Sequence, residues 1–458
     1  SFPTRRSSDL GPSTRYVATT GNNNAGANNC KDNLNPCLTV QHAINRAANG
    51  DTVQIANGNY PETNISLNKD LTVNGASEAG TTVGPTSGTV NQPGFVLGND
   101  ADGTTFSNLT VLSRHTGHLG AIQVPAGLAG PVANVAITNV TIDGIDSNTG
   151  DGINIGDATS GAAATGWTLD NVYIREFLGG IWNQGLVTGT TITNSEISMN
   201  DNGIYAANQP GNAAQDGVFD GLTITNTLFD KNDERGMYFE GLSNADFDGV
   251  TITDTGFGPS PGSLPFGARG IAINLKDGTY SNIDITNSRI SGSANEGIVV
   301  EVRGWTSPPL PADSGTYTAA PATLNGLTMS GLTLTNNQGP GLTIANRNTI
   351  TSTPSITSSR IYGNGFKAGP GVNGVTTNPT NPVNTPGPVN GIFATFPAVQ
   401  GGQAVSAENN WFGCNAGPSA APCNTVGIDN LVDANPWLVM EASLASGSIA
   451  NPGSTTVT

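Results

Sequence analysis

The sequence predicts an all-β solenoid of parallel strands, closed at its N-terminal end by one α-helix. The main observation is a pattern that recurs along the middle of the chain. Each copy has an alternating apolar segment, an Asn or Asp, a second short apolar segment and then Gly-Ile or Gly-Met. A single amphipathic stretch precedes these copies. Copies of this length separated by variable loops are typical of solenoid proteins.

Two markers define the copies. The polar residue stands at positions 139, 171, 194, 226, 254 and 287, and the glycine at 152, 180, 203, 236, 270 and 297. Period-two alternation predicts strands with one buried face. Because no helical pattern separates the copies, we expect neighbouring strands to stack in parallel, about 4.8 Å apart. We expect the polar residue to sit at a bend, where Asn tolerates the backbone and can hydrogen-bond along the stack. We expect the glycine to permit a tight corner.

A capping helix is predicted over residues about 39–49, within the stretch PCLTVQHAINRAANG. Thr39 can cap its first turn, and Gly50 can end it. Val40, Ala43 and Ile44 form one apolar face together with Ala47. Such a helix covers the strand edges that an open solenoid end exposes.

Composition narrows the class of protein. The chain of 458 residues has 34 acidic and 17 basic side chains, a formal net charge of -17. An acidic surface repels nucleic acid and anionic membranes, so neither is an expected partner. No run approaches the ~18 apolar residues of a membrane helix, so no membrane insertion is expected.

Four cysteines stand in two local pairs, Cys30 with Cys37 and Cys414 with Cys423. Neither pair has the Cys-x-x-Cys spacing or a nearby His, which makes a zinc site a poor explanation. We expect two short disulfide loops, which fit an oxidising compartment.

The chain resembles the right-handed parallel β-helix (pectin-lyase-like) superfamily, and in particular bacterial secreted and surface proteins with β-helix repeats. The resemblance rests on PCLTVQHAINRAANGDTVQIANGNY near the start, the Thr-Ile-Thr-Asn…Gly-Ile repeats, and AENNWFGCNAGPS with VDANPWLV near the end. It implies the fold. It implies little about activity, because this fold hosts lyases, hydrolases, epimerases and non-catalytic adhesins.

Three segments are expected. Residues 1–10 contain FPTRRSSDL, which matches the translation of a sequencing adapter, and are expected to be a scar. Residues 11–440 are expected to form the β-helix domain. Residues 441–458 resemble a linker or the start of an Ig-like repeat. We therefore expect a piece of a larger modular surface protein, secreted or displayed on a bacterial cell, whose signal peptide has been lost.

Counting from the repeated glycine predicts an outward-facing column of aromatic residues on consecutive coils, and stacked aromatics can bind the flat faces of sugar rings. Two long insertions flank this surface, as loops that build binding grooves often do. The alternative is an aromatic ladder that only stiffens the sheet. The predicted polysaccharide-binding residues are Trp182, Tyr205, Tyr238, Arg235, Arg269 and Trp305.

Catalysis has less support in the sequence. The chain lacks the Asp-Asp pair and the Gly-His-Gly of polygalacturonase-like members, and its nearest match to the latter is TGHLG around His118. A lyase needs carboxylates that hold Ca²⁺ and a basic residue that abstracts a proton. Column position alone selects candidates for this role: Glu240, Lys276, Glu301 and Arg303.

Calcium is a possible cofactor at a second place. Asp143, Asp146 and Asp151 are dense enough to supply oxygen ligands, although Asp-rich turns need no metal.

The leading hypothesis is a secreted or cell-surface β-helix module that recognises a glycan or matrix polymer without catalysis. The alternative is a carbohydrate-active enzyme (a polysaccharide lyase, hydrolase or epimerase) acting on the aromatic face. A further alternative is a structural stalk.

Overall fold

The computed structural model describes residues 11–441. Its gaps are 25–27, 89, 116, 146–148, 157–160, 208–216, 258–267, 277, 303–321, 347–349, 366–389, 396–404, 419, 421–422, 424 and 428–431. Within the described residues, one helix and 39 short strands form the fold. All strand pairs between them are parallel, as predicted.

In chain order, the first elements are β1 Thr14–Val17, α1 Val40–Arg46, β2 Thr52–Ile55, β3 Gly58–Tyr60, β4 Ile65–Leu67, β5 Thr72–Gly75, β6 Thr81–Val83, β7 Phe95–Leu97, β8 Thr105–Leu112, β9 Gly120–Val124, β10 Val132–Ala133, β11 Ala136–Asp143 and β12 Asp151–Ile155. The middle elements are β13 Ala164–Thr165, β14 Thr168–Arg175, β15 Gly179–Asn183, β16 Leu186–Thr188, β17 Thr191–Thr193, β18 Glu196–Ser198, β19 Asn202–Ala206, β20 Val218–Asp220, β21 Thr223–Thr225, β22 Leu228–Asp230, β23 Arg235–Phe239, β24 Gly241–Ser243, β25 Ala245–Asp248 and β26 Thr251–Thr253. The last elements are β27 Arg269–Leu275, β28 Thr279–Thr286, β29 Arg289–Ser291, β30 Ile298–Val302, β31 Thr323–Ser330, β32 Thr333–Thr335, β33 Leu342–Asn346, β34 Ser355–Thr357, β35 Arg360–Tyr362, β36 Asn390–Thr395, β37 Val405–Ser406, β38 Thr425–Gly427 and β39 Val432–Asp433.

The strands belong to three sheets. The first sheet has 22 strands, the second has 12 and the third has five. Strands β9, β12, β15, β19, β23, β27 and β30 follow one another in the second sheet, so each successive coil adds one strand to it. The inward side chains of all three sheets pack into one continuous apolar core. This is the predicted solenoid.

The repeated Asn or Asp lies at a bend of left-handed backbone, as predicted. Its φ is +54° at Asn139, +53° at Asn171 and +51° at Asp254, a region that Asn and Asp tolerate better than other side chains. Asn171 also donates its side-chain amide to the Asn139 side chain of the preceding coil at 2.8 Å. The bend residue therefore stabilises both its own turn and the stacking of coils.

The repeated glycine does not serve the corner that the sequence suggested. Gly180, Gly203 and Gly236 lie inside strands and are not among the residues with positive φ. A Cβ on Gly203 would lie only 2.4 Å from the carbonyl oxygen of Gly236 on the next coil. Space between successive coils, and not backbone conformation, requires glycine here.

The capping helix is present but shorter than the predicted 39–49. α1 spans Val40–Arg46, with the Thr39 side chain accepting a hydrogen bond from the His42 amide. The Glu62 carboxylate accepts the first amides of the helix, and Lys69 Nζ donates to carbonyls at its end. Because Lys69 satisfies these carbonyls, the helix can stop at Arg46 and its last turn needs no glycine cap.

Candidate functional site

The outer face of the second sheet carries the predicted aromatic column. Trp182 on β15, Tyr205 on β19 and Tyr238 on β23 are partners in the strand register. Ala272 on β27 and Val299 on β30 continue the same column. Counting from the glycine therefore placed these side chains correctly. We call this surface the second-sheet face.

The aromatic rings stack on each other. The centroids of Trp182 and Tyr205 are 4.2 Å apart, and those of Tyr205 and Tyr238 are 5.0 Å apart, with interplanar angles of 20° and 17°. Trp182 and Tyr205 are half-buried, whereas Tyr238 is only 5% exposed. The expectation of a fully exposed column was therefore wrong for Tyr238. The faces of the rings pack against one another, so a ligand on this surface would contact the edges of the rings.

The stack has a fourth ring that the sequence did not place there, that of His118. Its centroid lies 4.1 Å from that of Trp182. His118 Nδ1 lies 3.6 Å from Oδ2 of Asp151, the first residue of β12. The Asp151 side chain is fully buried, whereas that of His118 is 43% exposed. The Asp151 carboxylate beside the imidazole raises the pKa of His118, and burial opposes this shift only in part.

Arg235 lies at the other end of the stack. Its guanidinium carbon is 4.7 Å from the centroid of the Tyr238 ring and 5.9 Å from that of Tyr205, both cation–π distances. Arg235 also donates to Asn202 at 2.9 Å and contacts Glu234 at 3.3 Å. It is only 4% exposed. With His118 at one end and Arg235 at the other, the stack has a basic side chain near each end.

Arg269 is the register partner of Arg235 on the next coil. Its Nε lies 2.8 Å from Glu296 Oε2, and the side chains are 10% and 7% exposed. This register places the two arginines on the same face of the second sheet. Each of them already has an acidic partner.

Glu240 and Lys276 form a buried ion pair with side chains 5% exposed. The Tyr238 hydroxyl donates to Glu240 at 2.7 Å, and Asn274 donates to the Tyr238 hydroxyl at 2.9 Å. The Lys276 amide also donates to the Glu240 carbonyl at 2.9 Å, which joins two successive coils. A side chain that is 5% exposed and already paired with a buried carboxylate has little access to a polymer, so this pairing argues against Lys276 as a lyase base.

Glu301 lies on β30 and is the register partner of Asn274. It is 8% exposed. Glu301 lies on the coil after that of Asn274, whereas Glu240 lies on the coil before it. Glu240 and Glu301 are therefore two coils apart. Arg303 and Trp305 lie outside the described residues.

An acidic turn before β19 and β23 was missed by the sequence reasoning. It contains Asp201, Asp233 and Glu234. Burial, with the charges of Glu234 and Asp233, raises the pKa of Asp201 to about 7. Burial and Glu234 also raise the pKa of Asp233. The glycine register could have found this cluster, because Asp201 and Glu234 each stand two residues before the repeated glycine of consecutive coils, Gly203 and Gly236.

The calcium candidates are engaged in other contacts. Asp143 binds the Arg175 guanidinium at 2.7 Å, and Asp151 accepts from Asn154 at 2.7 Å. Asp146 lies outside the described residues. In the described part of the chain, the one group of three candidate ligands at metal-binding distance is Cys30, Cys37 and His42. The expectation that no His lies near either cysteine pair was therefore wrong for His42, which α1 brings beside the first pair. Those two thiols form a disulfide, so this group does not support a metal site.

Both predicted disulfides form, Cys30–Cys37 and Cys414–Cys423. Cys30 and Cys37 are fully buried and belong to the continuous apolar core. Among the described helical residues, no segment is both long and apolar enough to cross a membrane.

Residues 180–412 match the family model described as "Right handed beta helix region". The match spans just over half of the chain, and the protein therefore belongs to this family of right-handed parallel β-helices. No curated protein matches the sequence.

Several solved structures have a backbone similar to that of this chain. The A-module of the mannuronan C-5 epimerase AlgE6 from Azotobacter vinelandii is 16% identical, with 87% of this chain and 94% of that chain covered and a TM-score of 0.46. The AlgE4 A-module from the same organism is 13% identical, with 85% and 91% covered and a TM-score of 0.41. Pectate lyase Pel9A is 15% identical, with 93% and 80% covered and a TM-score of 0.39.

Proposed function

We propose that this β-helix recognises a polysaccharide on its second-sheet face. One observation carries the proposal. This outer face carries the stack of four rings. Around the stack lie four pairs of a basic and an acidic side chain, and each pair has at least one buried member: His118–Asp151, Arg235–Glu234, Arg269–Glu296 and Lys276–Glu240.

Such pairs are hard to explain by stability alone. Removing charges from water costs free energy that their mutual attraction only partly offsets. The solenoid already has a continuous apolar core, so its fold does not require ion pairs on an outer surface. Buried ionisable groups in a concentrated patch are more typical of a functional surface.

The first sheet offers a contrast. Its outward positions carry rows of short polar side chains, with Thr191 beside Thr223 and Thr193 beside Thr225 in the strand register. Such rows satisfy each other along the rod, as the Thr193 hydroxyl does with Asp170 at 2.8 Å. The first sheet also holds ion pairs, Arg175–Asp143 beside Tyr173 and Arg15–Asp51. Among the described residues, the stacked rings with several such pairs around them lie on the second-sheet face.

A glycan on the second-sheet face would contact the half-exposed edges of Trp182 and Tyr205. Amphipathic aromatic side chains with a few placed polar groups are the usual components of small-ligand and sugar sites. Three polar side chains lie beside these two rings. His118 stacks on Trp182, and Asn154 donates a hydrogen bond to the His118 carbonyl at 3.5 Å. Glu234 contacts Arg235, whose guanidinium lies over Tyr205. This replaces the face-on sugar stacking that the sequence suggested.

We also propose an extracellular location for this protein. Two disulfides fit a protein of an oxidising, extracellular compartment. We extend the proposal to a secreted or surface-displayed bacterial protein in which residues 11–440 form the recognition domain. The leading role is adhesion without catalysis.

An enzyme remains the second candidate. The observation that favours it is the His118–Asp151 pair, because a histidine beside a buried carboxylate is suited to proton transfer. Glu240, Lys276 and Glu301 are the weaker candidates, and Arg303 lies outside the described residues. A stalk without a ligand is the third reading, in which the rings only stiffen the sheet.

The test is retention of the full chain in native gels that contain immobilised polysaccharides, with and without Ca²⁺. Trp182→Ala should lose retention. Tyr173→Ala removes a half-buried aromatic from the first sheet and should retain binding. Thermal unfolding of both variants controls for misfolding.

Two further readouts separate the alternatives. Release of unsaturated uronate or of reducing ends from any polymer would identify an enzyme. No retention of the wild-type chain on any polymer, without turnover, would contradict recognition and leave the stalk.

A further inference from the structure

His118 differs from the other rings of the stack in exposure and in its partner. Its side chain is 43% exposed, while the Asp151 carboxylate beside it is fully buried. Asn154 Nδ2 donates to Asp151 Oδ2 at 2.7 Å, which fixes the carboxylate oxygen that faces His118 Nδ1. A carboxylate that holds one ring nitrogen sets the orientation and tautomer of the imidazole.

Because Nδ1 of His118 faces the Asp151 carboxylate, Nε2 is the nitrogen of this ring that remains to donate a hydrogen bond. No residue in the described part of the chain accepts a hydrogen bond from it. A half-exposed donor next to the half-buried Trp182 is available to a ligand on this face. A buried polar partner behind an exposed donor is the arrangement that orients a binding group.

The charges of the face indicate the class of ligand. Each described cation of the face is near an acidic partner, namely Asp151, Glu234, Glu296 or Glu240. Asp201 and Asp233 add further carboxyl groups in the adjacent turn. The described face therefore has no excess positive charge to balance a polymer of carboxylates, and like charges across an interface disfavour binding.

We propose that His118, held by Asp151, donates a hydrogen bond from Nε2 to a neutral polysaccharide at the β12 end of the ring stack. The inference rests on the proposed recognition function and adds its ligand class and one specific contact. A hydroxyl or ring oxygen of a neutral sugar is the acceptor that matches this donor. His118 is a binding residue in this scheme, and no bond is made or broken.

The contact is stronger when the imidazole is protonated, because charge-assisted hydrogen bonds exceed neutral ones. Asp151 raises the pKa of His118, so the ring keeps its proton to a higher pH than usual and loses it as the pH rises further. The other histidine of this turn, His115, is buried, and burial lowers its pKa. Its Nδ1 lies 3.1 Å from the Val90 carbonyl, and it loses its proton at a lower pH than His118 does. Asp201 in the adjacent turn, whose pKa is raised to about 7, also ionises between the two pH values, and Asp201→Asn removes that contribution.

The experiment measures retention of the full chain in native gels. The neutral probes are hydroxyethyl cellulose, xyloglucan and glucomannan, the acidic probes are alginate and polygalacturonate, and the pH values are 5.5 and 8.5. His118→Phe keeps a ring beside Trp182 and removes the donor. His42→Gln, on the capping helix, is the matched histidine control.

We expect retention on a neutral polymer that weakens several-fold between pH 5.5 and pH 8.5. In an Asp201→Asn background, which removes the other group that titrates in this range, His118→Phe should bind about tenfold more weakly at pH 5.5 and should lose the pH dependence, as loss of a charged hydrogen bond implies. His42→Gln should behave as the wild-type chain does.

Three outcomes would overturn the inference. If His118→Phe matches the wild type at both pH values while Trp182→Ala loses retention, only this inference fails. Retention by acidic polymers alone would refute the neutral ligand class. If the wild-type chain binds no polymer, both the inference and the recognition function fail.

Discussion

At the scale of single residues, close approach of coils governs the repeated glycine. The glycines 180, 203 and 236 lie in consecutive strands, and a Cβ on each would come within 2.6 Å of the next glycine's carbonyl oxygen. Backbone oxygen atoms cannot move aside without disturbing the hydrogen bonds between neighbouring strands. Even one methyl group at such a position must therefore separate two coils.

Gly203→Ala should destabilise the fold by about 1–3 kcal/mol, the usual range for overpacking. Gly130→Ala is the control, because a Cβ there would meet no atom within 4 Å. The measurement is urea unfolding followed by tryptophan fluorescence. Equal midpoints for the two variants would show that the coils can separate without cost.

The acidic turn gives a second prediction at this scale. The pKa of Asp201 is raised to about 7, so the folded state binds a proton more tightly than the unfolded chain. Stability should therefore fall as the pH rises from about 4 to about 7. Asp201→Asn should add about 1–2 kcal/mol at pH 8, allowing for solvent screening of a partly exposed group, and nothing near pH 4. Unfolding midpoints at both pH values check this, and an equal effect at pH 4 and pH 8 would contradict it.

At the scale of elements, the Glu240–Lys276 pair links the end of β23 to the residue after β27. Glu240→Gln would leave the buried Lys276 without its carboxylate partner. Breaking one side of a buried ion pair costs about 3–5 kcal/mol. We expect Glu240→Gln to unfold at clearly lower urea concentration.

The double variant Glu240→Gln/Lys276→Met should recover most of that loss, because it removes the uncompensated charge. Recovery distinguishes the electrostatic cause from a simple packing defect. A double variant less stable than the single one would show that other contacts of Lys276 dominate.

Sequence patterns predicted the elements well where the repeat is regular. Alternation and the glycine spacing placed Trp182, Tyr205 and Tyr238 in one register, and the Thr39 cap predicted α1. They could not show whether the rings stack on each other, because side-chain rotation and coil spacing decide this. They also could not find His118, which precedes β9 in a turn and reaches the stack across Asp151 and Asn154.

At the scale of the whole molecule, a solenoid is stabilised mainly by contacts between neighbouring coils. Damage at one end should therefore stay near that end. The Cys30–Cys37 disulfide lies at the N-terminal end, where the Tyr16 amide donates to the Cys30 carbonyl at 2.7 Å.

Replacing both cysteines by alanine should weaken this end by about 2–3 kcal/mol, the size expected for a short loop. Amide exchange should rise in β1 and α1 and stay unchanged in β19 and β23. Hydrogen-exchange mass spectrometry measures all four elements at once. Faster exchange throughout the rod would show long-range cooperativity instead.

The central claim is that the second-sheet face binds a polysaccharide. Hydrogen exchange of the full chain, with and without the polymer that retains it best, tests this most directly. The account predicts slower exchange in β12, β15, β19 and β23 and in the turn around His118, with the neighbouring strands of the first sheet unchanged. Protection confined to the first sheet or to the rod ends, or no protection while the polymer is bound, would contradict it.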